Sequence, residues 1–597
     1  MDGDGKAGIE QPAGARAATA QFGSDVVAQT LRDLGLPYIA LNPGASFRGL
    51  HDSLVNFLGN RDPQMLLCLH EEHAVALAQG YAKVTGKPMA VAVHSNVGLF
   101  HATMAIFNAW CDRMPVVVIG ATGPVDAAKR RPWIDWIHTA RDQGAIVRGY
   151  VKWDDQPASP AAARESLCRA AWLAATAPQA PVYVNLDAEM QEAALAEPLP
   201  PMATTRYLPV APAAPDAGAV DAAATHLRAA AAPLLLVGRV SRDPAAWNER
   251  VALAEALGAR VMTDLKVGAA FPTDHPLHVG GPGVMLGQDG GPAIAAADVI
   301  LSLDWVDLAG TLRTGAGGET SAKVIHVSLD HQLHGGWSMD HQGLPPVDVL
   351  IAADVDAAVR ALAAALLPRD AAARGTATAP AAFAPAPRAD GALVTDDIAV
   401  ALRAAAGGRP VSLAHLPLSW NGASWPFRHP LDYLGSDGGG GIGAGPGITV
   451  GAALALRGSG RLTVAVCGDG DFLMGATALW TAVHYRIPLL LVVANNRSFY
   501  NDEVHQERMA RMRGRPVENK WIGQRIDDPP VDLAGLARAQ GAVAWGPVTR
   551  RAELDTALRD ALAAVEGGAV AVVDVVVQPG YTPAMTGGLT RAAGPRG

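Results

Sequence analysis

The stretch VAVCGDGDFLMGATALWTAVHYRIPLLLVVANNRSF, from Val464 to Phe499, predicts the fold of the C-terminal part of the chain. Leu462 to Cys467 is a short, β-branched apolar run typical of a buried strand, and Gly468-Asp469-Gly470 predicts a tight turn after it. Met474 to Tyr485 is long enough for a crossover helix, and Ile487 to Ala494 predicts a second buried strand. Strand, turn, helix and strand in this order indicate a parallel α/β sheet.

Polar residues follow both of these strands. Asp469 follows the first and the pair Asn495-Asn496 follows the second, so their side chains are expected at one edge of the sheet. A carboxylate, an amide oxygen and a nearby backbone carbonyl suit a hard divalent cation that keeps waters and ligand phosphates. The pattern predicts a magnesium-diphosphate site, although a lone Gly-Asp-Gly is more often a simple turn.

The spacing of these residues resembles a known cofactor motif. Gly-Asp-Gly followed by the second asparagine of a pair, at 496 − 469 = 27 positions, resembles the thiamine diphosphate (ThDP) motif of the family containing acetolactate synthase, pyruvate decarboxylase and benzoylformate decarboxylase. The resemblance implies that Asp469, Asn496 and the main-chain oxygen of Ser498 bind Mg²⁺. It also implies that Gly468, Gly470 and Asp471 belong to the cofactor-binding residues.

Length and composition limit the classes of protein. A chain of 597 residues is too long for one core, so we expect three domains. The formal net charge of −9 and the absence of a basic patch argue against a nucleic-acid partner. The N-terminus lacks a signal-peptide core, no apolar run is as long as a membrane span, and the four scattered cysteines are expected to be buried free thiols. These features favour a cytoplasmic enzyme without a membrane partner.

The chain predicts three doubly wound parallel-sheet α/β domains. With the family's domain names, the expected segments are a flexible N-terminal extension (1–22), a pyrimidine-binding domain (23–197), a linker (198–218), a middle domain (219–367), a linker (368–391), a diphosphate-binding domain (392–585) and a tail (586–597). The other predicted strands are Tyr38–Leu41, Met65–Leu69, Met89–Val93, Val116–Ile119, Val182–Leu186, Leu234–Val237, Arg260–Met262, Val299–Leu303, Val324–Val327 and Val570–Val577, and a helix is predicted at Glu553–Val565.

The run His70-Glu71-Glu72-His73 lies where a strand should give way to a helix. It has three interpretations. Acidic residues are common at a helix N-terminus because they complement the helix dipole. A metal site is disfavoured because the two histidines are not four residues apart, as in His-Glu-x-x-His. The segment also resembles the His-Glu stretch of the ThDP family, which implies that Glu71 protonates the pyrimidine nitrogen of the cofactor.

A histidine also follows the next predicted strand. In most proteins a histidine at such an edge is structural, but the run His94 to Trp110 resembles the benzoylformate decarboxylase branch. There, a histidine at the same distance after the activating glutamate (94 − 71 = 23) handles protons on the substrate-derived intermediate. The resemblance gives His94 this role, and His101, which replaces a usual asparagine, is a third catalytic candidate.

Several positions depart from the benzoylformate decarboxylase pattern. Ala45 replaces the serine that touches the substrate carboxylate, although Ser46 is adjacent, and Gly120-Ala121-Thr122 replaces a common glutamine. The second histidine that this branch supplies from its middle domain has no obvious match. The sequence therefore does not identify the substrate.

Two other segments complete the expected cofactor site. In the glycine-rich run after Asp437, the resemblance implies that Ile442 wedges between the two cofactor rings and that the Gly440 carbonyl accepts from the cofactor amine. FAD is compatible with the middle domain but not favoured, because Asp304 and Asp307 stand where some members have an arginine-bearing turn. The segment after Asn496 would normally be a solvated helix face. The family instead implies substrate contacts by Tyr500, Glu503, His505 and Arg508.

The resemblance implies a ThDP- and Mg²⁺-dependent 2-oxo acid decarboxylase or carboligase. It also implies a homodimer or homotetramer, because Glu71 and the metal site would meet across subunits. Within the family the alternatives are an acetolactate synthase-like carboligase, or a lyase or hydrolase of a 2-hydroxyacyl-CoA or diketone. A non-catalytic ThDP-binding regulator is disfavoured because such a protein has no need of Glu71.

Overall fold

A computed structural model describes residues 9–14, 19–207, 211–333, 343–366 and 391–590. The chain divides into two compact units. The first comprises Met1–Ala211, Asp437–Ala455 and Thr477–Ile487, and the second comprises Pro212–Ser436, Leu456–Ala476 and Pro488–Gly597. Three parallel sheets confirm the predicted fold class, whereas the predicted domain boundaries stay predictions.

The first unit contains a parallel six-stranded sheet in the order β2-β1-β3-β4-β6-β5. All seven residues of β4 are buried, as expected for a parallel strand covered on both faces. Its strands are β1 Tyr38–Leu41, β2 Gln64–Leu67, β3 Met89–Ala92, β4 Val116–Thr122, β5 Asp154–Asp155 and β6 Val182–Asp187. Its helices are α1 Gly23–Asp33, α2 Arg48–Asp52, α3 Glu71–Thr85, α4 Ser95–Cys111, α5 Ile134–Ile137, α6 Pro160–Ala175, α7 Ala188–Glu192, α14 Ala444–Ala455 and α16 Ala478–His484.

Glycines bring two helices of the first unit into close contact. A Cβ atom added at Gly80 of α3 would lie 2.0 Å from the carbonyl oxygen of Ile448 in α14. A Cβ atom at Gly451 of α14 would lie 1.8 Å from the carbonyl oxygen of Leu77. Only glycine permits this separation of the two backbones. The pair fixes α3, which begins at Glu71, against α14, which follows the glycine-rich loop.

The second unit contains two parallel five-stranded sheets, in the orders β11-β10-β9-β7-β8 and β12-β13-β14-β16-β15. In the latter, Gly468 pairs with Ala494, so β13 and β14 end side by side. The strands are β7 Pro233–Val237, β8 Arg260–Met262, β9 Val299–Leu303, β10 Lys323–Val327, β11 Val349–Ile351, β12 Val411–His415, β13 Leu462–Gly468, β14 Leu489–Asn495, β15 Val543–Val548 and β16 Val570–Val576. The helices are α8 Ala217–Ala229, α9 Pro244–Leu257, α10 Gly290–Ala296, α11 Leu308–Ala316, α12 Val355–Leu366, α13 Thr395–Ala406, α15 Asp469–Gly475, α17 Tyr500–Met512, α18 Leu533–Ala539, α19 Arg551–Glu566 and α20 Pro583–Thr590.

The prediction of one crossover helix at Met474–Tyr485 is wrong. Two short helices occupy this region, α15 and α16, and the first ends at Gly475, a residue with poor helix propensity. The predicted turn at Gly468-Asp469-Gly470 is also wrong in detail. Asp469 is the first residue of α15, a position where the helix dipole favours a carboxylate.

Four strands of the described residues were not predicted: β5, β11, β12 and β15, which have two, three, five and six residues. The predicted linker 198–218 ends in α8, which Asp216 caps by accepting from the Ala219 amide at 3.0 Å. Of the predicted linker 368–391, residues 368–390 lie outside the described residues. Glu10, in the predicted flexible extension, accepts from the Tyr485 hydroxyl at 2.8 Å.

All four cysteines are free thiols, as predicted. Cys68, Cys168 and Cys467 are buried and Cys111 is partly buried. Within the described ranges, no helix combines the length and apolar character needed to cross a membrane.

Candidate functional site

Glu71 is the first residue of α3, and its side chain is almost entirely buried, with 5% of its surface exposed. His70 caps the helix, because its Nδ1 accepts from the Glu72 amide at 3.2 Å. The Glu71 carboxylate lies against α4, where a Cβ atom at Gly98 would come within 2.8 Å of Oε1. The structure therefore combines an acidic helix N-terminus with a carboxylate held in a close-fitting position.

His101 contacts Glu71 directly. Its Nδ1 lies 3.1 Å from Glu71 Oε2, and its ring stacks on that of His70 with centroids 4.9 Å apart. The His101 side chain is 53% exposed, so its other ring edge faces solvent. Burial lowers the pKa of His70 and the nearby His101 lowers it further, while Glu71 raises it. This arrangement lets His101 orient the Glu71 carboxylate.

His94 precedes α4 and is held by the turn that follows β1. Its Nδ1 lies 2.9 Å from Ser46 Oγ, which also accepts from the Ser95 amide at 3.0 Å. Ser46 is buried and engaged with His94, so its hydroxyl positions the histidine. Gly44 is required here, because a Cβ atom would lie 2.3 Å from the His94 Cβ.

The backbone and the electrostatics around His94 are both unusual. Ser95 has a φ of 40°, a strained conformation for a residue with a side chain, and this bend starts α4 at the histidine. Burial lowers the pKa of His94, the nearby His138 lowers it further, and Glu71 raises it. These shifts favour a neutral imidazole at neutral pH. When Nδ1 accepts from Ser46, the proton of the neutral ring is on Nε2, which is then the nitrogen that faces a substrate as a donor.

The glycine-rich loop packs against the same helix. The Gly439 amide donates to Asn108 Oδ1 at 3.2 Å, and a Cβ atom at Gly441 would lie 2.5 Å from the Met104 side chain. Ile442 is 43% exposed, high for a bulky aliphatic residue. Gly440 has a φ of 72°, which glycine adopts without strain. The loop thus presents an aliphatic side chain without burying it in the core.

One helix therefore connects all the candidate groups of the first unit. The residues of α4 and its cap that contact the site are three or four positions apart, so they lie along one face of the helix. These positions are His94, Gly98, His101, Met104 and Asn108.

In the second unit, Asp469 lies at the carboxyl end of β13. It is 3% exposed, and Oδ1 accepts from the Gly470 amide at 3.0 Å, while Oδ2 is buried with no hydrogen-bond partner among the described residues. Burial raises the pKa of Asp469 to about 6, although backbone amides of Gly470, Arg497 and Ser498 lower it. A buried carboxylate oxygen without a partner is what a bound cation would satisfy.

The end of β14 forms the other side of this candidate metal site. Asn496 Oδ1 accepts from the Ser498 amide at 2.9 Å, which folds residues 496–498 into a tight turn. Arg497 at its centre has a φ of 58°. Glu503 stabilises the turn, because its carboxylate accepts from Ser498 Oγ at 2.6 Å and from Arg525 Nε at 3.1 Å. The oxygen-rich donor set at this edge fits Mg²⁺.

The predicted substrate-contacting segment is the helix α17. Glu503 is 2% exposed and engaged with Ser498 and Arg525, which makes it a support for the turn. Tyr500 packs on Tyr581 with ring centroids 5.3 Å apart, and His505 and Arg508 are partly buried. Substrate contacts by these residues stay a prediction.

The structure adds a buried cluster that sequence reasoning missed. Asp471 Oδ2 lies 3.2 Å from His415 Nε2, and burial, followed by the Asp471 carboxylate, raises the pKa of the Cys467 thiol. Gly470, the second glycine of the Gly-Asp-Gly motif, lies against Phe499, because a Cβ atom added at Gly470 would be 2.6 Å from the Phe499 ring. Gly468 has open space where a Cβ would be. His415 ends an unpredicted strand, and no sequence signal marked it.

A cavity of about 210 Å³ adjoins Asp469. Asp532 and Asp574 make its lining acidic, and Arg497 is the cation among the lining residues. Asp574 is tied to the end of β14, because Asn495 Nδ2 donates to its Oδ1 at 2.9 Å. An acidic cavity with one arginine at a sheet edge suits a cation and a ligand that brings its own phosphates.

The edge of the middle sheet is occupied by its own ion pairs. Arg239 Nε lies 3.0 Å from Asp304 Oδ2, and Arg239 Nη2 lies 3.3 Å from Asp330 Oδ2. The crevice around them has a volume of about 20 Å³, far below that of typical cofactor pockets. Asp304, which stands where some family members have the arginine-bearing turn, is thus paired with Arg239, and the prediction that FAD is possible but not favoured stays a prediction.

Comparisons with known proteins place the chain among ThDP enzymes. The profiles described as thiamine pyrophosphate enzyme N-terminal TPP binding domain, central domain and C-terminal TPP binding domain match residues 22–146, 220–362 and 418–575. Benzoylformate decarboxylase of Pseudomonas aeruginosa is 26% identical over 581 residues, which cover 92% of this chain and 98% of that protein. A probable chloroplastic acetolactate synthase 2 of Oryza sativa subsp. japonica is 26% identical over 593 residues, covering 93% and 83%.

A solved structure shares the fold. The ThDP-dependent 4-hydroxybenzoylformate decarboxylase of Rhodococcus jostii RHA1 superposes with a TM-score of 0.75 at 23% identity, covering 94% of this chain and all of that one. At this identity, the likeness is to the fold alone.

Proposed function

Because the chain belongs to the thiamine pyrophosphate enzyme family, we propose that it is a ThDP- and Mg²⁺-dependent 2-oxo acid decarboxylase with carboligase activity. The observation that carries the proposal is Glu71, a buried carboxylate at the start of α3 in direct contact with His101. A protein that only binds the cofactor has no need of a carboxylate held in this way. We also propose a homodimer or homotetramer, which light scattering on the purified protein tests.

The chain's own residues have distinct tasks in this proposal. Bound ThDP supplies the nucleophilic carbon and the electron sink for cleavage next to a carbonyl. Glu71 holds a proton toward the pyrimidine nitrogen, and His101 orients the Glu71 carboxylate. His94, clamped at Nδ1 by Ser46, moves protons at the substrate through Nε2.

The remaining residues bind the cofactor. Asp469, Asn496 and the Ser498 carbonyl hold Mg²⁺. Gly468, Gly470 and Asp471, which adjoin Asp469 in the chain, belong to the cofactor-binding residues. Ile442 supports the two rings and the Gly440 carbonyl accepts from the amine. The turn of residues 496–498 is preformed by the Asn496 side chain and Glu503, so few groups need to be reordered on binding.

The experiment that tests this function is a substrate screen. Purified protein with ThDP and Mg²⁺ is incubated with pyruvate, branched-chain and aryl 2-oxo acids, and CO₂ release and new C–C bonds are measured. Turnover that requires both ThDP and Mg²⁺ supports the proposal. Turnover of a 2-hydroxyacyl-CoA or a cyclic diketone, with every 2-oxo acid inert, would favour the alternative lyase or hydrolase.

Acetolactate formation is the second candidate function. The likeness to a probable acetolactate synthase along 93% of this chain favours its inclusion. Pyruvate incubated alone distinguishes the two activities, because a decarboxylase releases acetaldehyde while a carboligase joins two substrate molecules.

Replacing Gly98 with alanine should misplace Glu71 without unfolding the protein. The new methyl group would lie 2.8 Å from Glu71 Oε1, and a displacement of about 1 Å can cost roughly 100-fold in rate. Alanine is favoured over glycine in a helix by about 1 kcal/mol, so the unfolding temperature should not fall. Steady-state kcat and thermal unfolding test both points.

The matched control is Gly149→Ala, since no heavy atom lies within 4 Å of a Cβ at that position. Its kcat should equal that of the wild type. Unchanged kcat in Gly98→Ala would show that the close contact with Gly98 does not determine where Glu71 acts.

Replacing Ile442 with alanine should lower kcat by about 10-fold or more, because a rigid support for the cofactor rings is lost. The side chain is 43% exposed, so the free energy of unfolding should change by less than about 1 kcal/mol. Steady-state kinetics and urea unfolding measure the two effects. A large loss of stability with unchanged kcat would make Ile442 a packing residue.

A further inference from the structure

A second histidine lies beside His94. The ring centroids of His94 and His138 are 4.7 Å apart and the ring planes are inclined by 74°, an edge-to-face contact. Both side chains are only partly buried, so neither is sealed inside the core. Building on the proposed function, we propose that His138 is a second catalytic residue that shares proton transfer to the substrate with His94.

The backbone around His138 is fixed at several points. Asn96 of α4 donates through Nδ2 to the Ile137 carbonyl at 3.2 Å, and the Gly123 amide donates to the His138 carbonyl at 3.4 Å. Asp135, one turn earlier, is 4% exposed and accepts from Arg131 Nε at 3.2 Å. These contacts place His138 against the start of α4, where His94 is also held.

The reaction has two positions that exchange protons. A 2-oxo acid anion and one proton become an aldehyde and CO₂: the bond to the carboxylate carbon breaks, its electron pair stays on the former ketone carbon, and that carbon takes the proton. The oxygen on the same carbon gains a proton before CO₂ leaves and gives it up when the aldehyde forms. The two positions are adjacent atoms, and the net reaction consumes one proton.

One imidazole is poorly suited to both positions. Ser46 engages Nδ1 of His94, so only Nε2 is left to exchange a proton with the substrate. After giving that proton to the oxygen, His94 has none for the carbon until it is protonated again. A neighbouring imidazole with its ring in contact supplies the second proton without waiting for solvent.

Electrostatic coupling within the pair supports the same conclusion. His138 lowers the pKa of His94, as burial also does, whereas Glu71 on α3 raises it. The contact with His138 therefore makes a proton on His94 easier to release.

The first test uses the protein without cofactor, so it does not depend on turnover. Carbon-13 labelling of histidine rings lets NMR follow the titration of His94, assigned from the spectrum of His94→Asn. In His138→Phe, which keeps an aromatic ring in contact, His94 should titrate about half a pH unit higher because the neighbouring charge is gone. The control His226→Phe, on α8, should leave it unchanged. An unchanged His94 titration in His138→Phe would overturn the proposal.

The second test uses the enzyme loaded with ThDP and Mg²⁺. Both His138→Phe and His138→Gln should lower kcat about 100-fold with KM nearly unchanged, since general acid–base groups contribute in this range. The acid limb of the pH profile should also move to higher pH in each variant. With an added aldehyde, product should shift from aldehyde release toward C–C bond formation, because protonation of carbon is slowed.

Wild-type kcat and product ratio in His138→Phe would overturn the catalytic role even if the titrations are coupled. Inactivity of the wild-type protein with every 2-oxo acid would instead refute the proposed function. In that case the NMR titration would still decide whether His138 affects the proton affinity of His94.

Discussion

Replacing Glu71 with glutamine should lower kcat by about 10²–10⁴-fold, the range of general acid–base catalysis. Glutamine keeps the size and the hydrogen-bonding shape of the side chain but cannot exchange a proton. Because one neutral hydrogen bond contributes about 1 kcal/mol, ThDP affinity should fall by no more than about tenfold. Steady-state turnover and fluorescence titration with ThDP and Mg²⁺ measure the two quantities separately.

The matched control for this variant is Glu72→Gln, the same change one residue later on the first turn of α3. It leaves His101 and Gly98 facing an intact Glu71. Its kcat should stay within about twofold of the wild type. Equal turnover in wild type and Glu71→Gln would contradict the mechanism, whatever substrate is used.

Replacing Asp469 with asparagine should have opposite effects on the cofactor-bound and cofactor-free proteins. Loss of a carboxylate ligand should weaken Mg²⁺-dependent ThDP binding by at least about 100-fold, since even indirect supports of metal ligands contribute 10–100-fold. Without cofactor, at neutral pH, the variant should be more stable by about 1–3 kcal/mol, because asparagine carries no charge whereas burial disfavours the Asp469 carboxylate and raises its pKa to about 6. Calorimetric titration and thermal unfolding of the apoprotein test the two signs.

The exposed Asp502 provides the control for charge alone. Asp502→Asn should leave both cofactor affinity and apoprotein stability at wild-type values. If Asp469→Asn bound ThDP and Mg²⁺ as tightly as the wild type, the assignment of Asp469 as a metal ligand would be wrong.

Local sequence patterns were sufficient for much of the fold. The strands Tyr38–Leu41, Arg260–Met262 and Val299–Leu303 have the predicted bounds. Two of them, Tyr38–Leu41 and Val299–Leu303, are short and largely apolar runs between clear breaks. The crossover region failed, since Gly475 divides a pattern that periodicity alone reads as one helix. Edge strand β15 was missed because most of its residues are not fully buried.

The candidate site, like the fold, was predicted only in part from the sequence. Asp469 and Glu71 were chosen from motif spacing, and their burial was not visible in the sequence. His138 was missed because it follows His94 by 138 − 94 = 44 residues, in a segment without regular periodicity. Glu503 was expected to contact substrate as part of a charged helix, whereas the structure ties it to Ser498 and Arg525. Such assignments depend on tertiary contacts that no local pattern contains.

The face of α4 also yields a search pattern for genomes. Its spacing can be written H-x₃-G-x₂-H-x₂-M-x₃-N, from His94 to Asn108. A relative that keeps the pattern should keep both sets of contacts, those to the buried glutamate and those to the glycine-rich loop. A one-residue insertion inside it would rotate every later position by about 100° around the helix axis. The spacing of these positions along one helix is therefore a practical criterion for deciding which relatives share this arrangement.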